Sequence, residues 1–102
     1  MNSQNQSQLS SCYIKQVFTE NYIQYTFSTS ITVTSFIEGV KMLFVESMNV
    51  YPEKMEVIEA GQEIPDVKAE DAPKLQYENI SIQEKYGDQI KNKAFYIRYT
   101  NS

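Results

Sequence analysis

Two stretches near the start of the chain have the period-of-two pattern of β-strands. Residues 12–19 place Ile14 and Phe18 on one face of an extended strand. Residues 23–28 alternate large apolar side chains with Gln, Thr and Ser, as expected of a strand with one buried face. Only residues 20–22 separate the two stretches, and a break this short predicts an antiparallel hairpin.

The pattern changes to a helical period after the hairpin. Ser35 followed by Glu38 matches a capping box, so we expect an α-helix over residues 36–48. Gly39 costs about 1 kcal/mol relative to alanine inside a helix, which indicates close packing against the sheet. Pro52 cannot continue the helix. The apolar positions of its buried face are Phe36, Ile37, Val40, Leu43, Phe44 and Met48.

Two more strands are predicted in the second half of the chain, at residues 54–60 and 94–100. In both, apolar side chains alternate with more polar ones, as in the pair Val57 and Glu56. Buried side chains from the strands and the helix should form one core. The predicted core residues are Ile14 or Val17, Phe27, Ile37, Val40, Phe44, Val57, Phe95 and Ile97.

The segment between these two strands is less regular. Residues 65–73 are acidic and poor in large apolar side chains, which predicts a surface loop. Residues 75–77 allow one more short strand, and the capping box Ser81–Glu84 with Gly87 after it predicts a short helix. The expected fold is α+β, in the order β-β-α-β-β-short helix-β, with a mixed four- to five-stranded sheet packed on one main helix.

The polar composition of residues 1–11 sets them apart from the rest of the chain. Apart from Met1 and Leu9 they are Asn, Gln, Ser, and such a segment buries too little apolar surface to offset the entropy of ordering it. We therefore expect a flexible tail followed by one domain over residues 12–102. A length of 102 residues is typical of a single small domain.

The composition excludes several kinds of chemistry. The chain has no histidine and one cysteine, Cys12, which argues against Cys/His zinc sites and against Ser-His-Asp or Cys-His hydrolases. A net charge of −4 with a pI near 4.7 argues against nucleic acid as a partner.

No apolar run approaches the roughly 18 residues of a membrane span, and no secretory signal is evident. We expect an intracellular, cytoplasmic protein that binds no metal or cofactor.

Three short segments resemble ubiquitin. Residues 57–64, VIEAGQEI, are similar to ubiquitin's LIFAGKQL, and residues 34–41, TSFIEGVK, resemble its helix entry DTIENVK. Residues 94–98, AFYIR, resemble the closing strand of ubiquitin-like and Ras-association domains. The resemblance implies a ubiquitin-like β-grasp fold, in which the first and last strands are adjacent and parallel and the main helix crosses one face of the sheet.

The resemblance also implies a function in protein binding. The chain ends in Thr-Asn-Ser and not in Gly-Gly, so we expect a member that is not conjugated to substrates, acting as a non-enzymatic adaptor or a small subunit of a larger assembly. Ile58, Tyr96 and Arg98 fall where ubiquitin-like proteins carry their recognition patch and are the predicted protein-binding residues. Residues 65–93 are long enough to cover Ile58 instead. Further candidates are the tyrosines at predicted turns and element ends, Tyr22, Tyr51 and Tyr86.

Two other functions stay open. A Ras-association-type domain would pair its second strand with a small GTPase, although residues 23–30 lack the basic side chains that such domains favour there. A small acidic inhibitor or mimic would use the seven carboxylates between Glu53 and Asp71, which against two lysines give a local net charge of −5. An enzyme is not expected, because no pocket is predicted around carboxylate pairs such as Glu56 and Glu59.

Overall fold

The computed structural model describes residues 9–48 and 51–100, and it begins with the predicted hairpin. Strand β1 (Leu9–Gln16) pairs antiparallel with β2 (Tyr22–Ser28). Because β1 begins at Leu9, residues 9–11 belong to the strand and not to the predicted tail, and residues 1–8 lie outside the described residues. In the turn, Phe18 has a φ of 66°, a left-handed conformation that is uncommon for a bulky side chain.

Helix α1 (Val33–Met48) contains the predicted helix but begins three residues earlier. The Ser35 backbone N–H donates to Thr32 Oγ1 at 3.0 Å, so Thr32 is the capping residue and the predicted Ser35–Glu38 box is wrong. Thr32 presents the same kind of hydroxyl acceptor three residues earlier. Val33 is fully buried, and its packing outweighs the low helix propensity of a β-branched residue.

The last two strands, β3 (Met55–Ala60) and β4 (Ala94–Tyr99), complete a mixed sheet of order β2-β1-β4-β3. Strands β1 and β4 pair in parallel, with Ile14 opposite Phe95, and β3 runs antiparallel to β4. The prediction that the first and last strands are adjacent and parallel is confirmed. The predicted α+β class, with a mixed sheet on one main helix, is confirmed with four strands.

Short helices connect β3 to β4. Helix α2 (Asp66–Asp71) lies where a loop was predicted, and α3 (Ile82–Tyr86) begins at the Ser81 cap, as predicted. Two 3₁₀ helices, Pro52–Lys54 and Gly87–Asn92, precede β3 and β4. The additional strand expected near Leu75 is absent from the described residues, where an isolated bridge joins Ile58 to Lys74. No helix in the described part of the chain is both long and apolar enough to cross a bilayer.

The main core lies between α1 and the sheet, and the prediction of its residues is confirmed. All the predicted side chains are buried, with Ile14 in this core and Val17, its alternative, on the opposite face of the sheet. Phe36 is at the centre, with ring centroids 5.0 Å from Phe27 and 4.9 Å from Phe95. Aromatic contacts at these separations add to the stability gained from burial.

Gly39 of α1 lies directly against the sheet, as its position in the sequence indicated. A Cβ added there would lie 2.0 Å from Tyr25 Oη. Gly39→Ala should therefore destabilise the protein by about 1 kcal/mol, because overpacking exceeds the gain in helix propensity. Thermal unfolding measures the effect, and in a Tyr25→Phe background the same substitution should cost less. Stabilisation by Gly39→Ala in the wild-type background would show that this contact is not formed.

Candidate functional site

Helix α2 covers the β3–β4 half of the sheet face that lies opposite α1. Ala69 of α2 is fully buried, and it forms a second apolar cluster with Val17, Ile58 and Tyr96. The exposed fractions of Ile58 and Tyr96 are 0% and 4%. The prediction that Ile58, Tyr96 and Arg98 are exposed together is therefore wrong, and the covering of Ile58 by the following segment, the alternative left open, is what the structure has.

The covering segment comprises residues 64–72, and the Tyr96 hydroxyl is hydrogen-bonded to its first residue. It accepts a hydrogen bond from the Ile64 backbone N–H at 2.9 Å and lies 3.2 Å from the Ile64 carbonyl oxygen, to which it donates. Burying a tyrosine next to a backbone N–H and C=O satisfies all three polar groups at once. Tyr96 therefore fixes the chain where it leaves β3 and turns back over the sheet.

Arg98 is hydrogen-bonded to the C-terminal end of the covering segment. Its Nη1 donates to the carbonyl oxygens of Ala69, at 3.2 Å, Ala72, at 2.6 Å, and Glu70. Its Nε and Nη2 both lie 2.8 Å from Glu56 Oε1. The last carbonyls of a helix have no partner within the helix, so the Arg98 guanidinium both satisfies them and forms an ion pair with β3. The contacts of Arg98 are thus internal to the fold.

Asp66 fixes the first turn of α2 to the β1–β2 hairpin. Lys15 Nζ donates to its two carboxylate oxygens at 2.8 and 2.9 Å, and the Phe18 backbone N–H donates to Oδ2 at 3.1 Å. The hydrogen bond from Lys15 lowers the pKa of the Asp66 carboxyl below its usual range. The same carboxylate stabilises the left-handed backbone of Phe18, because it pairs with the N–H that this conformation presents.

We expect Asp66→Asn to lower the melting temperature at neutral pH. Since the pKa of Asp66 is depressed in the folded state, its stabilising effect is complete above the ordinary carboxyl range and is lost as the pH falls through the folded pKa. The difference in melting temperature between wild type and variant should therefore shrink on acidification. Thermal unfolding monitored from neutral to acidic pH measures it, and a difference that does not change with pH would contradict this role.

The other half of the same sheet face, on β1 and β2, is open. Tyr13 and Tyr22 are 62% and 53% exposed, and they lie diagonally across the two strands, since Tyr13 is opposite Gln24 and Lys15 is opposite Tyr22. Side chains at such diagonal positions share a face and are close enough for aromatic rings to reach one another. The open half therefore presents two large amphipathic side chains on rigid strands.

A shallow groove runs beside these tyrosines. Five residues define what we call the tyrosine groove, and these are Tyr13, Lys15, Tyr22, Glu63 and Tyr96. Its volume is about 280 Å³, and residues 91–94 also line it. Its continuation towards α2 is lined by residues 63–66. The segment that covers Ile58 thus also forms one wall of the groove.

The Cys12 side chain packs against the main core on the α1 side of the sheet and has no activated thiol. Burial raises its pKa to about 12, whereas a nucleophilic cysteine has a lowered pKa. In residues 9–48 and 51–100, no group of three or more His, Cys, Asp or Glu side chains is placed to hold a metal ion.

Some of the charged groups invoked by the two alternative functions form ion pairs within the fold. Lys15, the basic residue nearest to β2, is paired with Asp66. Among the bunched carboxylates, Glu56 is paired with Arg98, and Glu59 lies 3.8 Å from Lys93 Nζ. The remaining carboxylates of this set are exposed, and these are Glu53, Glu63, Glu70 and Asp71.

The predicted turn tyrosines differ in their surroundings. Tyr22 lies on the open face, and Tyr51 is exposed elsewhere, whereas Tyr86 packs edge-on against Phe95 at 6.3 Å. Burial raises the pKa of Tyr86. Tyr13 was not among the predicted contact residues. The sequence indicated Tyr13 only through strand alternation, which places it on the face opposite Ile14.

Comparison with known proteins supports the fold. No family model and no curated protein matches the chain. Among solved structures, the chain is similar to the solution structure of the C-terminal ubiquitin-like domain of mouse tubulin-specific chaperone E, with a TM-score of 0.61 and 16% sequence identity over 100% of this chain and 97% of that one. Together with the sheet order and the parallel β1–β4 pair, this similarity shows that the chain has the ubiquitin-like β-grasp fold.

Proposed function

We propose that the chain is a non-enzymatic protein-interaction domain, an adaptor or a small subunit of a larger assembly, which binds its partner at the tyrosine groove. The observation that carries this proposal is the exposure of Tyr13 and Tyr22 beside a groove, on the half of this sheet face that α2 does not cover. Of the three residues predicted from the sequence, Tyr96 lines this groove. Ile58 and Arg98 instead contact the segment that covers the sheet beside the groove.

The chemistry of the groove suits a protein surface. Tyrosine is enriched in interfaces because its ring buries a large area with few rotatable bonds while its hydroxyl remains hydrogen-bonded. Lys15 and Glu63 provide polar groups of both signs close to the rings, as is typical of an interface in which polar groups surround buried aromatic anchors. The similar domain is one part of a tubulin-specific chaperone, which supports a role within a larger assembly.

A comparison of two matched double variants tests the proposal. Tyr13→Ser/Tyr22→Ser removes both rings from the groove, and Tyr51→Ser/Tyr77→Ser removes two exposed tyrosines elsewhere. Each immobilised protein is used to capture partners from an extract of the cells that make it, with quantitative mass spectrometry. Proteins bound at the groove should be lost about tenfold or more with the first variant and kept with the second, because aromatic anchors dominate interface energies.

Unfolding measurements accompany the capture experiment. All four tyrosines are exposed, so both double variants should melt close to the wild type. If the groove variant folds and still captures every protein that the wild type captures, the groove is not the binding site. If the control variant loses the same proteins, the binding surface lies elsewhere on the domain.

A further inference from the structure

The two edge strands of the sheet, β3 and β2, differ in whether other residues of the chain pair with their outer side. At the β3 edge, the Leu75 backbone N–H donates to the Val57 carbonyl at 2.7 Å, and Lys74 forms an isolated bridge with Ile58. At the opposite end of the sheet, no part of residues 9–48 and 51–100 pairs with the outer side of β2. The chain itself therefore pairs with part of the β3 edge, at Val57 and Ile58, whereas no described residue pairs with the β2 edge.

The open edge presents a regular row of backbone groups. The Gln16 N–H donates to the Asn21 carbonyl at 3.0 Å, which fixes the alternation of hydrogen-bonded pairs along the hairpin. It follows that the backbone groups of Tyr22, Gln24 and Thr26 point away from β1. The side chains of these same residues are exposed on the face opposite α1.

Strand β2 has none of the usual protections of an edge. Natural edge strands avoid pairing with other chains through lysine, proline, inward-pointing charges or β-bulges. The sequence YIQYTFS contains no charged residue and no proline. Its register with β1 runs without interruption from Leu9 opposite Ser28 to Lys15 opposite Tyr22. Tyr, Ile, Thr and Phe also have high β-propensity.

We propose that β2 pairs antiparallel with β2 of a second copy of this chain, about a two-fold axis at Tyr25, the central residue of the strand. In this register Gln24 lies opposite Thr26 of the second copy, and each such pair exchanges both N–H···O=C bonds. On the α1 side, the half-buried Ile23 faces Phe27 of the second copy. The pairing joins two four-stranded sheets into one continuous sheet.

The charge distribution favours a second copy as the occupant. Each chain carries a net charge of −4, but β2 is uncharged, so a two-fold pairing brings no like charges opposite each other. An uncharged edge offers no charge contact that would select a strand of a different protein. The remaining repulsion between the two acidic chains is long-range and screened by salt, so the dimer should tighten as ionic strength rises.

The two-fold pairing also leaves the tyrosine groove accessible. An axis perpendicular to the sheet places the outer faces of both copies on the same side, so that two grooves lie on one surface. The pairing itself uses the edge of β2 and not its outer face. It does not depend on the function proposed above, and its test requires no partner.

Sedimentation equilibrium of the full chain over a wide concentration range is the first measurement. The wild type should show a reversible monomer–dimer equilibrium, with a dissociation constant that falls as salt is added. The variants Gln24→Lys/Thr26→Lys and Gln24→Glu/Thr26→Glu should each raise the dissociation constant about tenfold or more, since each places like charges opposite one another across the axis.

Mixing the two charged variants tests the register. The lysines of one should face the glutamates of the other, so the mixture should form a dimer at least as tight as that of the wild type. Gln62→Lys/Gln76→Lys, which adds the same charge at exposed positions outside β2, should dimerise as the wild type does. Circular dichroism confirms that each variant is folded. A wild type that stays monomeric at every concentration overturns the proposal, and so does a folded charged variant that dimerises normally by itself.

Discussion

Replacing Phe44 by alanine should destabilise the protein by about 3–5 kcal/mol. Phe44 is fully buried between α1 and the sheet, and its removal costs both the transfer of the ring from water and the cavity that remains. For a domain of this size, such a loss lowers the melting temperature by at least about 10 °C. Urea unfolding of wild type and variant measures the difference in the free energy of unfolding.

The matched control is Met42→Ala on the same helix. Met42 is exposed, so its truncation should change the free energy of unfolding by only about 0.5 kcal/mol or less. If Phe44→Ala melts like the wild type, or if Met42→Ala is equally damaging, the face of α1 that packs against the sheet has been assigned incorrectly.

Ile58→Ala should have the second largest effect, a loss of about 2–5 kcal/mol. Its side chain is fully buried on the face of the sheet that α2 covers, and truncation leaves a cavity between Ala69 and the sheet. Urea unfolding measures this loss too. Tyr13→Ala, on the open half of the same face, is the control and should change stability little.

The result for Ile58 distinguishes the two arrangements that the sequence allowed. If Ile58→Ala is as stable as the wild type, α2 does not cover this face in solution, and an exposed patch at Ile58 would account for the result. A large loss of stability with partner capture unchanged places Ile58 in the interior and binding elsewhere.

The sequence was sufficient to predict the sheet, the main helix and the core. Alternation in residues 23–28 and the helical spacing of Val40 and Phe44 each depend on neighbouring residues in the chain, and both patterns are confirmed. The start of α1 was misplaced because Thr32 and Ser35 both carry a hydroxyl that can cap a helix, and only the three-dimensional arrangement selects Thr32.

The covering of Ile58 was harder to predict. Alternation places Ile58 on the face opposite Val57 but does not show whether that face meets water. Helix α2 spans only Asp66–Asp71, too short for a periodic pattern to reveal. One signal was present. The run Phe95-Tyr96-Ile97 is apolar on both faces, which is typical of a strand buried on both sides.

The role of Arg98 depends on contacts between residues far apart in sequence. Its partners are three carbonyl oxygens at the end of α2 and the Glu56 carboxylate on β3. An arginine on a predicted strand face is equally consistent with an interface residue or with an internal contact. The choice between them follows from the position of α2, which the sequence did not reveal.

An amide NMR titration with a protein captured by the wild type distinguishes binding at the tyrosine groove from binding at the β3–β4 face most directly. With the groove as the site, the largest shift changes should lie on β1 and β2 around Tyr13 and Tyr22, while the hydrogen-bonded amides of α2, from Lys68 onward, keep their hydrogen-exchange protection. Changes centred on Ile58, together with loss of protection in α2, would show that the partner displaces the helix and binds beneath it, contrary to the proposed function.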